Sequence, residues 1–185
     1  MSFSWHEVHA HLLKSTTRAG FHDRFVELGR SNKSIRKFRD SNALLNYLHA
    51  LNEDQKAKNG VLRGLVTNAQ NSFDTAEAAK TLVTLALWPG LARVRWRLRP
   101  LFAHDLEVLN AEVISQFMDQ IAKLDLSRVN AVAATILRNV ERDIRRRRLQ
   151  ETLPVADTPI EAMELAAPPT DVENVLTRLR RQIGA

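Results

Sequence analysis

Residues 105–148 read DLEVLNAEVISQFMDQIAKLDLSRVNAVAATILRNVERDIRRRR and contain two helical patterns in succession. In each pattern, hydrophobic residues recur every three or four positions, which places them on one face of a helix. A short break at Asp125–Ser127 separates the two patterns. This part of the sequence therefore predicts two consecutive amphipathic helices and an all-α fold.

The second helix, predicted over Arg128–Arg148, has an apolar stripe on one side and arginines on the other. The stripe consists of Val129, Ala133, Ile136, Val140 and Ile144. The opposite side carries Arg138, Arg142 and Arg145, and the basic run continues through Arg146, Arg147 and Arg148. Arg147 returns to the stripe, so we expect the helix to outlast its core there and project into solvent. The segment has no lysine, and an outer face of arginines favours nucleic acid or another polyanion over simple solvation.

The first helix, predicted over Asp105–Leu124, has an outer side with few charges. Its core side consists of Leu106, Leu109, Val113, Phe117 and Leu124, with Gln120 as the one polar member. Its outer side presents Val108, Ala111, Ser115 and Met118, flanked by Glu107 and Asp119. Because a free helix normally carries charges there, this strip predicts contact with a partner or with another part of the chain. The second explanation is the commoner one.

These two helices resemble region 2 of bacterial sigma factors, most closely the small extracytoplasmic-function type. The resemblance consists of Asp105-x-Glu107-x-Leu109-x-x-Glu112-Val113, then Arg138-Asn139-x-x-x-Asp143, and then Arg145 to Arg148. Each motif is degenerate alone, and their order and spacing over roughly residues 76–150 carry the resemblance. It implies a helical bundle whose first helix docks on the clamp helices of the β′ subunit of core RNA polymerase. The second helix would approach the minus-ten element of promoter DNA.

The resemblance implies two sets of site residues and a function in directing transcription initiation. The residues expected to face DNA are Arg138, Asn139, Arg142, Arg145, Arg146 and Arg148. The residues expected to face the polymerase are Glu107, Val108, Ala111, Glu112, Ser115 and Met118.

Two departures from the family pattern support other functions. Val108 stands where the family usually has an acid, and Ala111 stands where it has a glutamine. Residues 123–137 contain no aromatic side chain, whereas the family uses aromatics between these helices to open promoters and capture bases. The alternatives are a sigma-like adaptor, antiterminator or co-activator that binds polymerase or a protein co-regulator without opening promoters, and a general DNA-binding module without polymerase contact.

Two further segments combine basic and aromatic residues. Arg30–Asp40 places Arg36 and Lys37 beside Ile35 and Phe38, which predicts either a second DNA contact through Arg36 and Lys37 or simply a polar helix start or loop. Leu91–Phe102 carries Arg93 and Arg97 on one face with Trp96 nearby. These arginines either solvate a buried helix or extend the DNA-facing surface.

The chain divides into four predicted parts. Residues 1–72 form an N-terminal helical module, and residues 73–150 form the sigma region 2-like helical domain, in which Pro89-Gly90 is expected to kink or end a helix begun at Thr75. Residues 151–170 are rich in proline and acids and predict a linker, followed by a short helix within residues 171–185. In sigma factors such a linker leads to region 4, so either the protein continues past Ala185 or it has only the region 2-like half.

Composition limits the remaining functions. The 185 residues carry a net charge of +6 and no cysteine, which favours polyanionic partners and excludes disulfides and thiol-based sites. The start resembles no signal peptide and no apolar run is long enough for a membrane span, so we expect a cytoplasmic protein without membrane contact. No phosphate-binding loop, nucleophile motif or complete metal-ligand set is present, and His6, His9 and His11 read as surface or capping residues. We therefore expect neither catalysis nor a cofactor.

Overall fold

A computed structural model of the chain describes residues 4–51, 54–71, 74–102 and 105–152. Within these ranges the chain forms helices joined by short connections, with no strand, so the prediction of an all-α multi-helical fold is confirmed. The helices are α1 (Trp5–Thr16), α2 (Phe21–Ser31), α3 (Lys33–Arg36), α4 (Ser41–His49), α5 (Gln55–Asn71), α6 (Ala76–Leu98), α7 (Leu106–Lys123) and α8 (Val132–Thr152). Short 3₁₀ turns lie at Arg99–Phe102 and Leu126–Arg128.

Helix α6 lies at the centre of the bundle. Its residues 82–88 are buried at every position, which is typical of a helix that is apolar all round and covered on all sides. Helices α1, α2, α4, α5, α7 and α8 all pack against it. Thr84, which lies within this run, donates its hydroxyl to the Lys80 carbonyl at 2.7 Å, so its polar group is satisfied within the helix. None of the helices in the described ranges is long and apolar enough to span a membrane.

The sequence predicted a kink or an end of the helix at Pro89-Gly90, and α6 does not end there but continues to Leu98. The proline ring is exposed on the outside of the helix, so its missing N–H leaves the buried side intact. Gly90 faces α8, and a Cβ atom at this position would overlap the Leu137 side chain. The glycine thus permits close packing of α6 and α8, and this tertiary contact outweighs the local tendency to break the helix.

The predicted modules 1–72 and 73–150 share one hydrophobic core. Helix α5, from the first module, packs on α6, α7 and α8 of the second, and Met1–Thr152 forms one compact unit. Helix α8 extends to Thr152, two residues into the predicted linker. The rest of that linker and the predicted helix within residues 171–185 lie outside the described residues.

Three side chains of α5 hold the connection between α7 and α8, and we call this arrangement the α5 clamp. Gln70 donates to the Ile121 and Leu124 carbonyls at 2.8 and 2.9 Å, and Arg63 donates to the Leu126 and Val129 carbonyls. Asn59 donates to the Asn130 carbonyl at 2.7 Å and accepts from the Val132 N–H at 2.8 Å. The clamp therefore satisfies backbone groups that the helix ends leave without partners, and it sets where α8 begins.

Aromatic stacking joins α1 to α6. The Trp5 and Trp88 rings stack at a centroid distance of 4.3 Å, and His9 stacks on Trp88 at 4.8 Å. Burial, with smaller contributions from His6 and His49, lowers the pKa of His9. His9 therefore serves to pack α1 against the central helix.

The orientation of α8 gives a stability prediction. Ile136 is fully buried, so Ile136→Ala should lower the free energy of unfolding by about 2–5 kcal/mol through lost burial and a cavity. Arg138, two residues further on, is exposed. Arg138→Ala should therefore change the free energy of unfolding by less than about 0.5 kcal/mol. Chemical denaturation followed by circular dichroism measures both, and similar losses in the two variants would contradict this orientation of α8.

Candidate nucleic-acid interface

Helix α8 separates a buried apolar stripe from an exposed basic face. Val132, Ile136, Val140 and Ile144 are fully buried, which leaves the opposite side of the helix in solvent. Four exposed arginines stand on that side, and we call them the arginine face: Arg138, Arg142, Arg145 and Arg146. The structure thus brings together four of the six residues that the sequence assigned to DNA contact on this helix.

The other two, Asn139 and Arg148, take part in contacts within the protein. Asn139 is half-buried and donates its amide to Gln120 Oε1 at 3.0 Å. Arg148 lies over the Phe102 ring at 4.2 Å and pairs with Glu112 at 3.6 Å. Both side chains reach α7, where their partners Gln120 and Glu112 lie. The sequence showed the basic run but not which of its members had partners on another helix.

A row of polar contacts, the α7–α8 seam, joins these two helices beside their apolar contact. Gln116 and Gln120 donate to Asp143 Oδ2 at 3.4 and 3.0 Å. Arg147 donates to Gln116 Oε1 at 2.9 Å and lies 3.7 Å from Glu112. The helix was expected to outlast its core at Arg147 and project into solvent, and Arg147 is indeed about half exposed, but its guanidinium reaches back to side chains of α7. The seam therefore uses the end of the basic run to hold α8 in place.

The last turns of α6 extend the basic surface in a way that the sequence only partly indicated. Trp96 has 72% of its surface exposed and lines a shallow groove of about 560 Å³ between α6 and α8. We call this the Trp96 groove, and its other lining residues are Arg97, Arg99, Pro100 and Arg145. The sequence placed an arginine-rich face near Trp96, but only the packing of α6 on α8 brings Arg145 to the same groove.

Glu141 links the groove to the arginine face. Its carboxylate oxygens lie 2.7 Å from Arg97 Nη1 and 3.4 Å from Arg145 Nη2, while Arg142 pairs with Asp143 at 3.0 Å. Arg97 and Arg145 remain about half exposed in their pairs with Glu141. Their guanidiniums therefore keep N–H donors for an external anion.

Arg95 differs from these two arginines. Burial and the neighbouring Arg99 lower the pKa of its guanidinium, and it donates inward to Asn110 at 2.6 Å.

Helix α7 presents four of the six residues that the resemblance assigned to polymerase contact. Glu107, Val108, Ala111 and Ser115 are exposed and share one side of the helix, which we call the α7 strip. Met118 is half-buried and packs against the core. Glu112 is half-buried between Arg147 and Arg148. The strip is therefore a narrower surface than the sequence indicated.

Arg36 and Lys37 belong to a separate surface. Lys37 lies over the Tyr47 ring at 4.4 Å, and Arg36 lines a groove of about 420 Å³ with Arg30 and Arg39. Helix α3 packs on α2 and α5, whereas α8 packs on α5, α6 and α7. The two basic segments are thus presented by different parts of the bundle.

No family model matches this chain, and no curated protein or solved structure matches it significantly. Within the described ranges, no three histidine or acidic side chains are grouped so that they could hold a metal ion.

The α7–α8 seam gives a second prediction. Glu112→Gln removes the half-buried anion that Arg147 and Arg148 share. It should lower the free energy of unfolding by about 1–3 kcal/mol because two neighbouring guanidiniums lose that common carboxylate, while Arg148 keeps its exposed pair with Glu151 at 2.9 Å. Asp119→Asn, which breaks an exposed pair with Lys123 on the same helix, should cost less than about 0.5 kcal/mol. Thermal and denaturant unfolding measure both values. Equal effects in the two variants would mean that Glu112 contributes no more than a surface charge.

Proposed function

We propose that this chain is a DNA-binding transcription regulator that presents the arginine face of α8 to duplex DNA. The observation that carries the proposal is a set of four exposed arginines on a helix whose opposite stripe is fully buried. Because the buried stripe fixes the helix in the bundle, the arginines are displayed on a rigid support. A rigid basic helix loses little conformational entropy when it binds a polyanion.

The dimensions and charges of this face suit the DNA backbone. Arg138 and Arg146 are separated by about 12 Å along the helix axis at the usual rise per residue, so the row can reach neighbouring phosphates on one strand. Guanidinium groups form strong bidentate hydrogen bonds with phosphate oxygens. Contacts of this kind position a protein on duplex DNA and release counterions, and they carry little sequence information.

The resemblance to sigma region 2 supports a more specific form of the proposal, in which the α7 strip contacts the β′ clamp helices of core RNA polymerase. The strip lies on the helix next to the arginine face, so one molecule can hold both partners. Val108 and Ala111 make this contact more apolar than the family's own. The chain would then bring promoter DNA to the polymerase.

A second candidate is a DNA-binding module or polymerase adaptor that does not open promoters. The connection between α7 and α8 favours it, because its residues 124–131 contain no aromatic side chain and its carbonyls are held by the α5 clamp. Stacking on an aromatic side chain is worth about 1–3 kcal/mol per unpaired base, and this connection provides none.

The DNA contact gives a third prediction. The double variant Arg138→Ala/Arg142→Ala should weaken duplex binding roughly tenfold or more and reduce the slope of log affinity against log salt by about 2, because two phosphate contacts are lost. The control is Arg18→Ala/Arg24→Ala, which removes the same charge from exposed positions in the turn before α2 and on α2. Fluorescence anisotropy over a range of salt concentrations measures both slopes. Equal losses in the two double variants would show general charge attraction and contradict the assignment to α8.

The polymerase contact gives a fourth prediction. Ala111→Arg places a long cation in the middle of the α7 strip and should abolish retention of core RNA polymerase in co-purification at low salt, while leaving DNA binding intact. Ala19→Arg, at an exposed position before α2, makes the same chemical change away from the strip and should retain polymerase. If the unaltered protein binds duplex DNA but retains no polymerase, the sigma-like form fails and the DNA-binding module remains.

A further inference from the structure

Trp96 is the exposed member of the three tryptophans in this chain. Trp5 and Trp88 are buried and stack on each other, whereas 72% of the Trp96 surface is accessible. Within the described residues, the Trp96 ring has no stacking or cation–π partner. A single exposed hydrophobic side chain is common on protein surfaces. What distinguishes Trp96 is the set of cationic side chains that line the same groove.

The neighbours of the ring specify the chemistry of a ligand for this groove. Arg97, Arg99 and Arg145 line the same groove, with Pro100 as the other apolar surface. Glu141 holds the guanidiniums of Arg97 and Arg145 on one side, through its 2.7 and 3.4 Å pairs. Each guanidinium has five N–H donors, so those pairs leave donors free for another anion. The site thus combines one flat apolar surface with a cluster of cations.

A nucleotide has the matching chemistry, because its base is a flat ring and its phosphate is an anion within the same unit. The base must be unpaired and unstacked to reach the Trp96 ring, since bases inside a duplex already stack on their neighbours. The groove volume of about 560 Å³ lies within the range of small-ligand sites. Arg145 also belongs to the arginine face, so the groove is continuous with the surface proposed for duplex DNA.

We propose that the Trp96 groove binds an unpaired nucleotide of DNA that is continuous with a duplex on the arginine face. The base stacks on Trp96, and the adjoining phosphates contact Arg97, Arg99 and Arg145. This inference rests on the proposed function and deepens it, because the preferred ligand becomes DNA with a junction between paired and unpaired segments. The stacking surface lies on α6, away from the aromatic-free connection between α7 and α8.

The test compares three DNA ligands by fluorescence anisotropy with the full chain. They are a blunt duplex, the same duplex with an internal unpaired bubble, and single-stranded oligothymidine. We expect the bubble duplex to bind roughly tenfold tighter than the blunt duplex, in line with the usual contribution of one stacked base. Tryptophan fluorescence should be quenched by the bubble duplex, since stacked bases reach only the exposed ring.

Three variants test whether Trp96 is responsible for the preference for the bubble duplex. Trp96→Ala should remove the preference for the bubble duplex and the quenching while leaving affinity for the blunt duplex within about twofold, and Trp96→Phe should keep most of the preference because it retains an aromatic face. Arg138→Ala/Arg142→Ala should weaken both duplexes and leave their ratio unchanged. Circular dichroism and thermal unfolding check that each variant is folded, which is expected since Trp96 is exposed.

The outcomes separate the two proposals. Equal binding of blunt and bubble duplexes by the unaltered protein, or an equal loss of both in Trp96→Ala, overturns the Trp96 site and leaves duplex binding standing. Binding of oligothymidine that depends on Trp96, without any duplex binding, overturns the proposed function and the preference for a junction, and supports base stacking on Trp96. Tighter binding of the matching RNA strand than of the DNA strand overturns the assignment to DNA. Absence of binding to all ligands overturns both proposals.

Discussion

Burial of residues 82–88 of α6 on every side is the constraint on which the rest of the structure depends. A helix that is apolar all round must be covered completely, and the chain does this with helices from both ends of the described sequence. Gly90 lets α8 approach closely at Leu137, so the apolar stripe of α8 faces the central helix. The arginines of α8 are then left on the outside. The basic surface is therefore a consequence of core packing as well as of local charge.

The sequence predicted those features of the fold that depend on a single helix. The spacing of Ile136, Val140 and Ile144 gave the buried side of α8 correctly, and all three are fully buried. It also placed Arg138 and Arg142 on the exposed side. Of the two expectations at Pro89-Gly90, a kink or an end of the helix, the end is wrong, because a rule about local conformation competes there with packing of a neighbouring helix. Periodicity reports which face of a helix is buried, but it does not identify the residues on the other helix.

The candidate site could be predicted only in part, for the same reason. Arg145 to Arg148 are identical in type and consecutive, yet they have different environments. Arg146 is exposed, while Arg147 and Arg148 contact Glu112 on α7. Gln116 is buried because Asp143 and Arg147 satisfy its amide, and those partners are 27 and 31 residues away. Such polar pairs leave no periodic signal, so an arginine that stabilises the fold looks the same in sequence as one that is free to bind a phosphate.

The α5 clamp also bears on the order in which the chain folds. Its hydrogen bonds join residues that are 51 to 73 positions apart, so they form only after a long segment has closed, at an entropic cost that local helix contacts do not carry. Helices α7 and α8 are adjacent in the chain and pair early, but the first turn of α8 stays without its backbone partners until α5 arrives. A ribosome synthesises α5 before either of them. During synthesis the three α5 side chains therefore emerge before the backbone groups that they hold, and the clamp closes when the α7–α8 connection reaches them.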